Sequence, residues 1–80
     1  MKRKEITKKV TEIFVDKLAV EPSEVVMEAN LEDDLLADSI DCLEIILEAE
    51  KVFNINIKDA ESVNVNTVQD FVDLVEKKLS

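Results

Sequence analysis

The sequence predicts an all-α fold: a small bundle of three main helices and one short helix, with a long ordered loop between helices one and two. Apolar residues recur at helical spacing in three separate segments, and capping residues stand where the second and third of these segments begin. The one proline falls just after the first segment, and there is no glycine at all. Eighty residues support a single core, so residues 1–80 are one domain.

Ile6, Val10, Ile13, Phe14 and Leu18 form the stripe of a first helix over roughly 3–18. Pro22 and Ser23 end that element and open an acidic connection reaching to about Asp38. Val25, Val26, Met27, Leu31, Leu35 and Leu36 punctuate the connection, which is therefore expected to pack along the bundle; its length for a loop suggests function. A second helix follows from Ser39 to Phe53, with Asp38 placed to cap its first amides and Asp41 and Glu44 suited to its dipole. Asn54 to Ile57 and Val63 to Val65 alternate like strands, so a small hairpin competes locally. A short helical turn over Asp59 to Val63 is preferred, since no other strand exists to shield a hairpin. Thr67 with Asp70 three positions on starts the last helix, whose stripe is Val68, Phe71, Val72, Val75 and Leu79.

Charge is unevenly distributed. Residues 21–50 hold eleven acidic groups and no basic one, whereas residues 1–20 hold six basic and three acidic groups. The acidic middle repels nucleic-acid phosphate and anionic lipid and attracts basic protein surfaces. With no Trp or Tyr there is no platform for stacking nucleobases, and nucleic acid is not an expected partner. Without His there is no Ser-His or Cys-His pair and no imidazole metal site, and without Gly there is no phosphate-cradling loop. An EF-hand register ending on Glu44 puts Leu35 and Ala37 at ligand positions and Asp38 where Gly is needed, so no dedicated metal site is expected beyond loose cation condensation on the acids. The chain is expected not to be an enzyme. Met1-Lys2-Arg3-Lys4 resembles the start of a signal peptide, but Glu5, Lys8, Lys9 and Glu12 interrupt any apolar stretch behind it. No run suits membrane insertion, and a lone Cys42 fits a reducing cytoplasm.

Projected at 100° per residue, the second helix gathers Asp41, Glu44, Glu48 and Lys51 in one sector and Cys42, Ile45, Ile46, Ala49, Val52 and Phe53 on the opposite, core-facing side. Ile40, Leu43 and Leu47 form a further apolar ridge between Ser39 and the acids. That ridge is either a docking surface or a second face wrapped by the bundle.

Asp38-Ser39-Ile40-Asp41 followed by Leu43-Glu44, after a long acidic loop and at the middle of a small acidic bundle, resembles the prosthetic-group site of the acyl carrier proteins. The resemblance spans nearly the whole chain, from the first stripe through Glu32-Asp33-Asp34-Leu35 to Thr67-Val68-Gln69-Asp70. It implies that a phosphopantetheinyl transferase joins phosphopantetheine from coenzyme A to Ser39, and that acyl groups ride as thioesters on the arm's thiol. It further implies that basic patches on acyl-transferring and fatty-acid or polyketide synthesis enzymes dock on Asp38, Asp41, Glu44 and Glu50, with Ile40, Leu43 and Leu47 as apolar contacts, and Glu48 extends the same surface. A monomer is expected. Asp38, and the lack of a Gly-Gly pair before the serine, set the chain apart from peptidyl carriers. Three residues depart from the family pattern: Ile40 replaces the usual Leu, Leu36 stands where Gly is frequent, and Lys51 where another acid is common. The competing readings are a small acidic helical interaction module without a prosthetic group and a metal-buffering acidic bundle.

Overall fold

The computed structural model describes residues 1–80. It contains α1 (Arg3–Leu18), a single 3₁₀ turn (Pro22–Glu24), α2 (Ser39–Phe53), the short α3 (Asp59–Ser62) and α4 (Val68–Leu79). No strand forms. The residues that alternate near 55 and 64 are irregular backbone and turns on either side of α3, and a lone bridge between Asn30 and Thr67 is the only β-type pairing. No helix is long and apolar enough to cross a membrane.

The stripes on α1 and α4 meet as their spacing predicts. Ile6, Val10, Ile13 and Phe14 of α1 are buried with Val68, Phe71, Val72 and Val75 of α4, and the rings of Phe14 and Phe71 lie 5.6 Å apart at 40°. α1 packs against both α2 and α4 and so forms the spine of the bundle. Every buried residue is apolar, so the core carries no charge whose desolvation must be offset. Outside the core, Arg3 spans Asp73 (2.8 Å) and Glu76 (3.0 Å), tying the start of α1 to α4. These groups are substantially exposed, and such pairs contribute little.

The connection before α2 is ordered by side chains and by α4. Val25, Ala29, Leu31, Leu35 and Ala37 are buried, so the connection packs along the bundle as expected, whereas Val26 and Leu36 are exposed. The Asn30 carboxamide oxygen accepts from the amides of Glu32 and Asp33 (both 2.9 Å), and Asp34 accepts from the Asn30 amide (2.7 Å). The Leu31 amide donates to the Asn66 carbonyl (2.9 Å), and the Val68 and Gln69 amides donate to the carbonyls of Ala29 and Met27 (both 3.0 Å). Within residues 29–38 every amide except that of Leu36 thereby finds an acceptor in the chain.

Three non-glycine residues adopt positive φ: Ala19 (55°), Leu36 (58°) and Asn54 (55°). Ala19 and Asn54 are the C-caps of α1 and α2, where left-handed backbone ends a helix. Leu36 caps no helix. Its neighbours impose its conformation: Leu35 and Ala37 are anchored in the core, and the Ala37 amide donates back to the Leu31 carbonyl (2.8 Å). A residue with a β-carbon incurs roughly 1–2 kcal/mol there. Leu36 thus takes a left-handed backbone of the kind that glycine, frequent at this position in the family, adopts at no steric cost.

The start of α4 is held by reciprocal bonds. The Thr67 hydroxyl accepts from the Asp70 amide (3.1 Å), while the Asp70 carboxylate accepts from the amides of Asn66 (3.0 Å) and Thr67 (3.1 Å). Those bonds, led by the one from Asn66, hold the Asp70 carboxyl below its ordinary range. A carboxyl depressed on folding stabilises above its unfolded value near 3.9, and the contribution fades as pH falls through the lower folded value. Asp70→Asn is therefore expected to cost about 1 kcal/mol at pH 7. The deficit should close as pH falls below about 4 and the wild-type carboxyl takes up its proton. Urea melts of both proteins across that range measure it.

Candidate functional site

Ser39 is the first residue of α2, and its residue is exposed. Asp38 caps the helix with extended backbone (φ −94°); its carboxylate accepts from the Asp41 amide (2.8 Å), and Asp41 accepts in return from the Asp38 amide (3.2 Å). This box satisfies the third amide of the helix. The amides of Ser39 and Ile40 find no acceptor within the chain, as befits the first two positions of a helix. A hydroxyl beside two free N–H groups at the positive end of a 15-residue helix suits a phosphate ester. The carboxylates of Asp38 and Asp41 oppose that charge, but both are occupied by amides of the cap.

Along α2 the ridge is free. Ile40, Leu43 and Leu47 are 68, 55 and 53% exposed, so no part of the bundle wraps this side, and Glu44 is exposed beside them. Asp38, Asp41 and Glu44 form no ion pair with any basic group of the chain. Glu48 and Glu50 are placed differently. Glu48 lies 3.9 Å from Lys17 of α1, and Glu50 accepts from the Ile57 amide (2.8 Å), closing the turn after α2. Both are half-buried, and the role of Glu50 in that turn leaves no sign in the residue spacing.

On the inner side of α2 only Ile45, Ala49 and Phe53 are buried; Cys42 and Ile46 are half-buried, and Val52 is exposed. The predicted core-facing group is therefore narrower than its projection, because α1 is the one helix packed extensively on α2. Cys42 and Ile46 instead line an apolar cavity of ≈ 40 Å³ with Leu31, Ile45, Ser62, Val65, Phe71 and Leu74. This cavity lies between α2, α3 and α4 and was not legible beforehand, since its walls come from four separate segments. Cys42 is one helical turn from Ser39. Burial first, and then the charges of Glu32, Asp41 and Asp38, push its thiol up and away from the reactive thiolate. No group of three or more acidic or thiol side chains is placed to hold a metal ion.

A family model described as the phosphopantetheine attachment site matches residues 8–75. The chain belongs to the acyl carrier protein family. It is 53% identical to the acyl carrier protein of Amoebophilus asiaticus, over 95% of both chains, and 47% identical to that of Porphyromonas gingivalis, over 94% of this chain and 96% of the relative. The acyl carrier protein structure from Enterococcus faecalis superposes with a TM-score of 0.81 at 35% identity, covering 98% of this chain and 99% of that one. The expected fold and family are borne out, and the chain is a carrier rather than an enzyme, with covalent phosphopantetheine as its prosthetic group. The reading as an interaction module without a prosthetic group is not favoured.

Proposed function

We propose that Ser39 receives the phosphopantetheine and that the chain presents acyl thioesters to the enzymes of fatty-acid or related lipid and polyketide synthesis, as a monomer in the cytoplasm. The observation that carries this reading is the exposed Ser39 hydroxyl at the first turn of α2, flanked by two unbonded amides. In the modification the Ser39 oxygen bonds to the phosphorus that carries the pantetheine of coenzyme A. The pyrophosphate bond breaks, adenosine 3′,5′-bisphosphate leaves, and the hydroxyl proton passes to a base of the transferase. The chain itself supplies position: a rigid helix start, amides for the ester oxygens, and a nearby apolar cavity. At ≈ 40 Å³ the cavity must widen to hold an extended acyl chain, and half-buried Ile46, Val65 and Leu74 are the walls free to move. Intact mass after incubation with coenzyme A and a broad-specificity phosphopantetheinyl transferase tests the assignment; an unchanged mass would refute it.

Asp38, Asp41 and Glu44 with the ridge of Ile40, Leu43 and Leu47 form the surface on which basic patches of those enzymes dock, with Glu48 and Glu50 at its inner margin. Glu44→Lys is expected to slow association with such an enzyme roughly three- to tenfold at low salt. The deficit should shrink at 0.5 M salt, where screening is strong. Stability should stay within about 0.5 kcal/mol, because Glu44 is exposed and bonds to nothing. Stopped-flow rates at two ionic strengths decide it.

A further inference from the structure

Leu36 carries two costs that the fold does not return. Its backbone is left-handed (φ 58°), and its side chain, at 78% exposure, is the most solvent-exposed of the large apolar residues. Neither cost is local disorder. Leu35 and Ala37 are buried on either side, and the Ala37 amide is bonded to the Leu31 carbonyl, so the side chain is held outward. A strained residue persists where its surroundings over-determine it, and such residues gather at binding sites.

Its position says what approaches it. Leu36 stands three residues before Ser39 and four before Ile40, hence within about 14 Å of the start of the exposed ridge. Asp33, Asp34 and Asp38 around it are exposed, and no Lys or Arg of the chain pairs with them. Enzymes that act on the acyl thioester meet the far end of a flexible arm. The transferase alone must bring its reacting centre to the Ser39 hydroxyl, and so must cover the chain on both sides of it.

Resting on the reading of Ser39 above, we infer that Leu36 anchors the phosphopantetheinyl transferase, filling an apolar recess flanked by basic side chains beside the coenzyme A site of that enzyme. The ridge then extends backward past Ser39, and the serine is gripped from both sides. The recess desolvates a side chain whose backbone is already fixed by its buried neighbours, so only rotamer freedom is lost on docking.

The test uses Leu36→Ala, which removes the isobutyl group but keeps the left-handed strain, and Leu36→Gly, which removes both. Both are compared with wild type and Leu43→Ala using the transferase native to the same cell, with coenzyme A saturating. About tenfold lower kcat/KM is expected for both Leu36 variants, carried by KM, with full modification by a broad-specificity transferase and unchanged helicity by circular dichroism. Rates within twofold of wild type in both, alongside a slow Leu43→Ala, would overturn the role of Leu36 while leaving the ridge intact. A slow Ala variant with a fast Gly variant would also overturn it, since the loop conformation and not the side chain would then be read. A wild-type dimer in sedimentation that dissociates in both variants would assign Leu36 to self-association instead. Failure of every transferase to modify the wild type would remove the underlying assignment of Ser39 as well.

Discussion

Ser39→Ala is expected to abolish the gain of phosphopantetheine mass, an all-or-none loss that no other single hydroxyl change should reproduce. The other serines are placed against the role: Ser62 and Ser80 donate to the carbonyls of Asp59 (2.8 Å) and Glu76 (3.0 Å), and Ser23 lies in the 3₁₀ turn, remote in sequence from α2. The Ser39 hydroxyl makes no bond within the chain, and Asp38 supplies the cap, so the variant should melt within about 0.5 kcal/mol of wild type. That separation gives the experiment its force: an intact fold with no added mass assigns the hydroxyl a chemical role. Mass gained by the Ala variant, or mapped by peptide digestion to Ser23, Ser62 or Ser80, would defeat the assignment.

The second large effect is on stability. Phe71 is almost fully buried, packs against Phe14 and forms a wall of the cavity. Phe71→Ala should cost about 3–5 kcal/mol, because the transfer term is joined by a cavity that the α1–α4 contact cannot collapse without losing Phe14 as well. For 80 residues the total stability is of the order of 4–12 kcal/mol, so this one truncation removes a large share of it. Phe71→Leu, with part of the volume kept, should cost only about 1–2 kcal/mol and stay folded. Urea denaturation of the three proteins gives the ordering, and equal midpoints for wild type and Ala would show that Phe71 is not a core residue in solution.

What the residues disclose in advance depends on whether a signal is local. The bounds of α2 follow from Asp38 and Asp41 at one end and from the loss of helical spacing after Phe53 at the other, and both survive in the structure. The ridge of Ile40, Leu43 and Leu47 is legible as a second apolar group on α2, but its spacing leaves open whether the bundle wraps it, and only the fold leaves it exposed. Val52 misleads for the converse reason: an angular projection places it on the apolar side but contains no information on where α1 stops, and it emerges exposed. Leu36 is invisible in a different sense. Nothing in a leucine announces positive φ, which here is imposed by buried neighbours and by a bond from Ala37 to Leu31. The cavity is also a product of assembly, since Leu31, Cys42, Val65 and Phe71 meet only once the loop is fastened to α4.

That α1 packs on both α2 and α4, with few direct approaches between those two, gives the molecule a mechanical grain. A load inserted between α2 and α4 pries apart a seam and leaves the two joints on α1 closed, much as a book opens without disturbing its spine. The work of opening is then confined to parting apolar walls, and methylenes of the guest cover the same walls again, so loading nearly conserves the buried hydrocarbon area. In hydrogen exchange this grain is expected to show as α1 amides that open only with the whole domain, while those facing the seam exchange through smaller excursions.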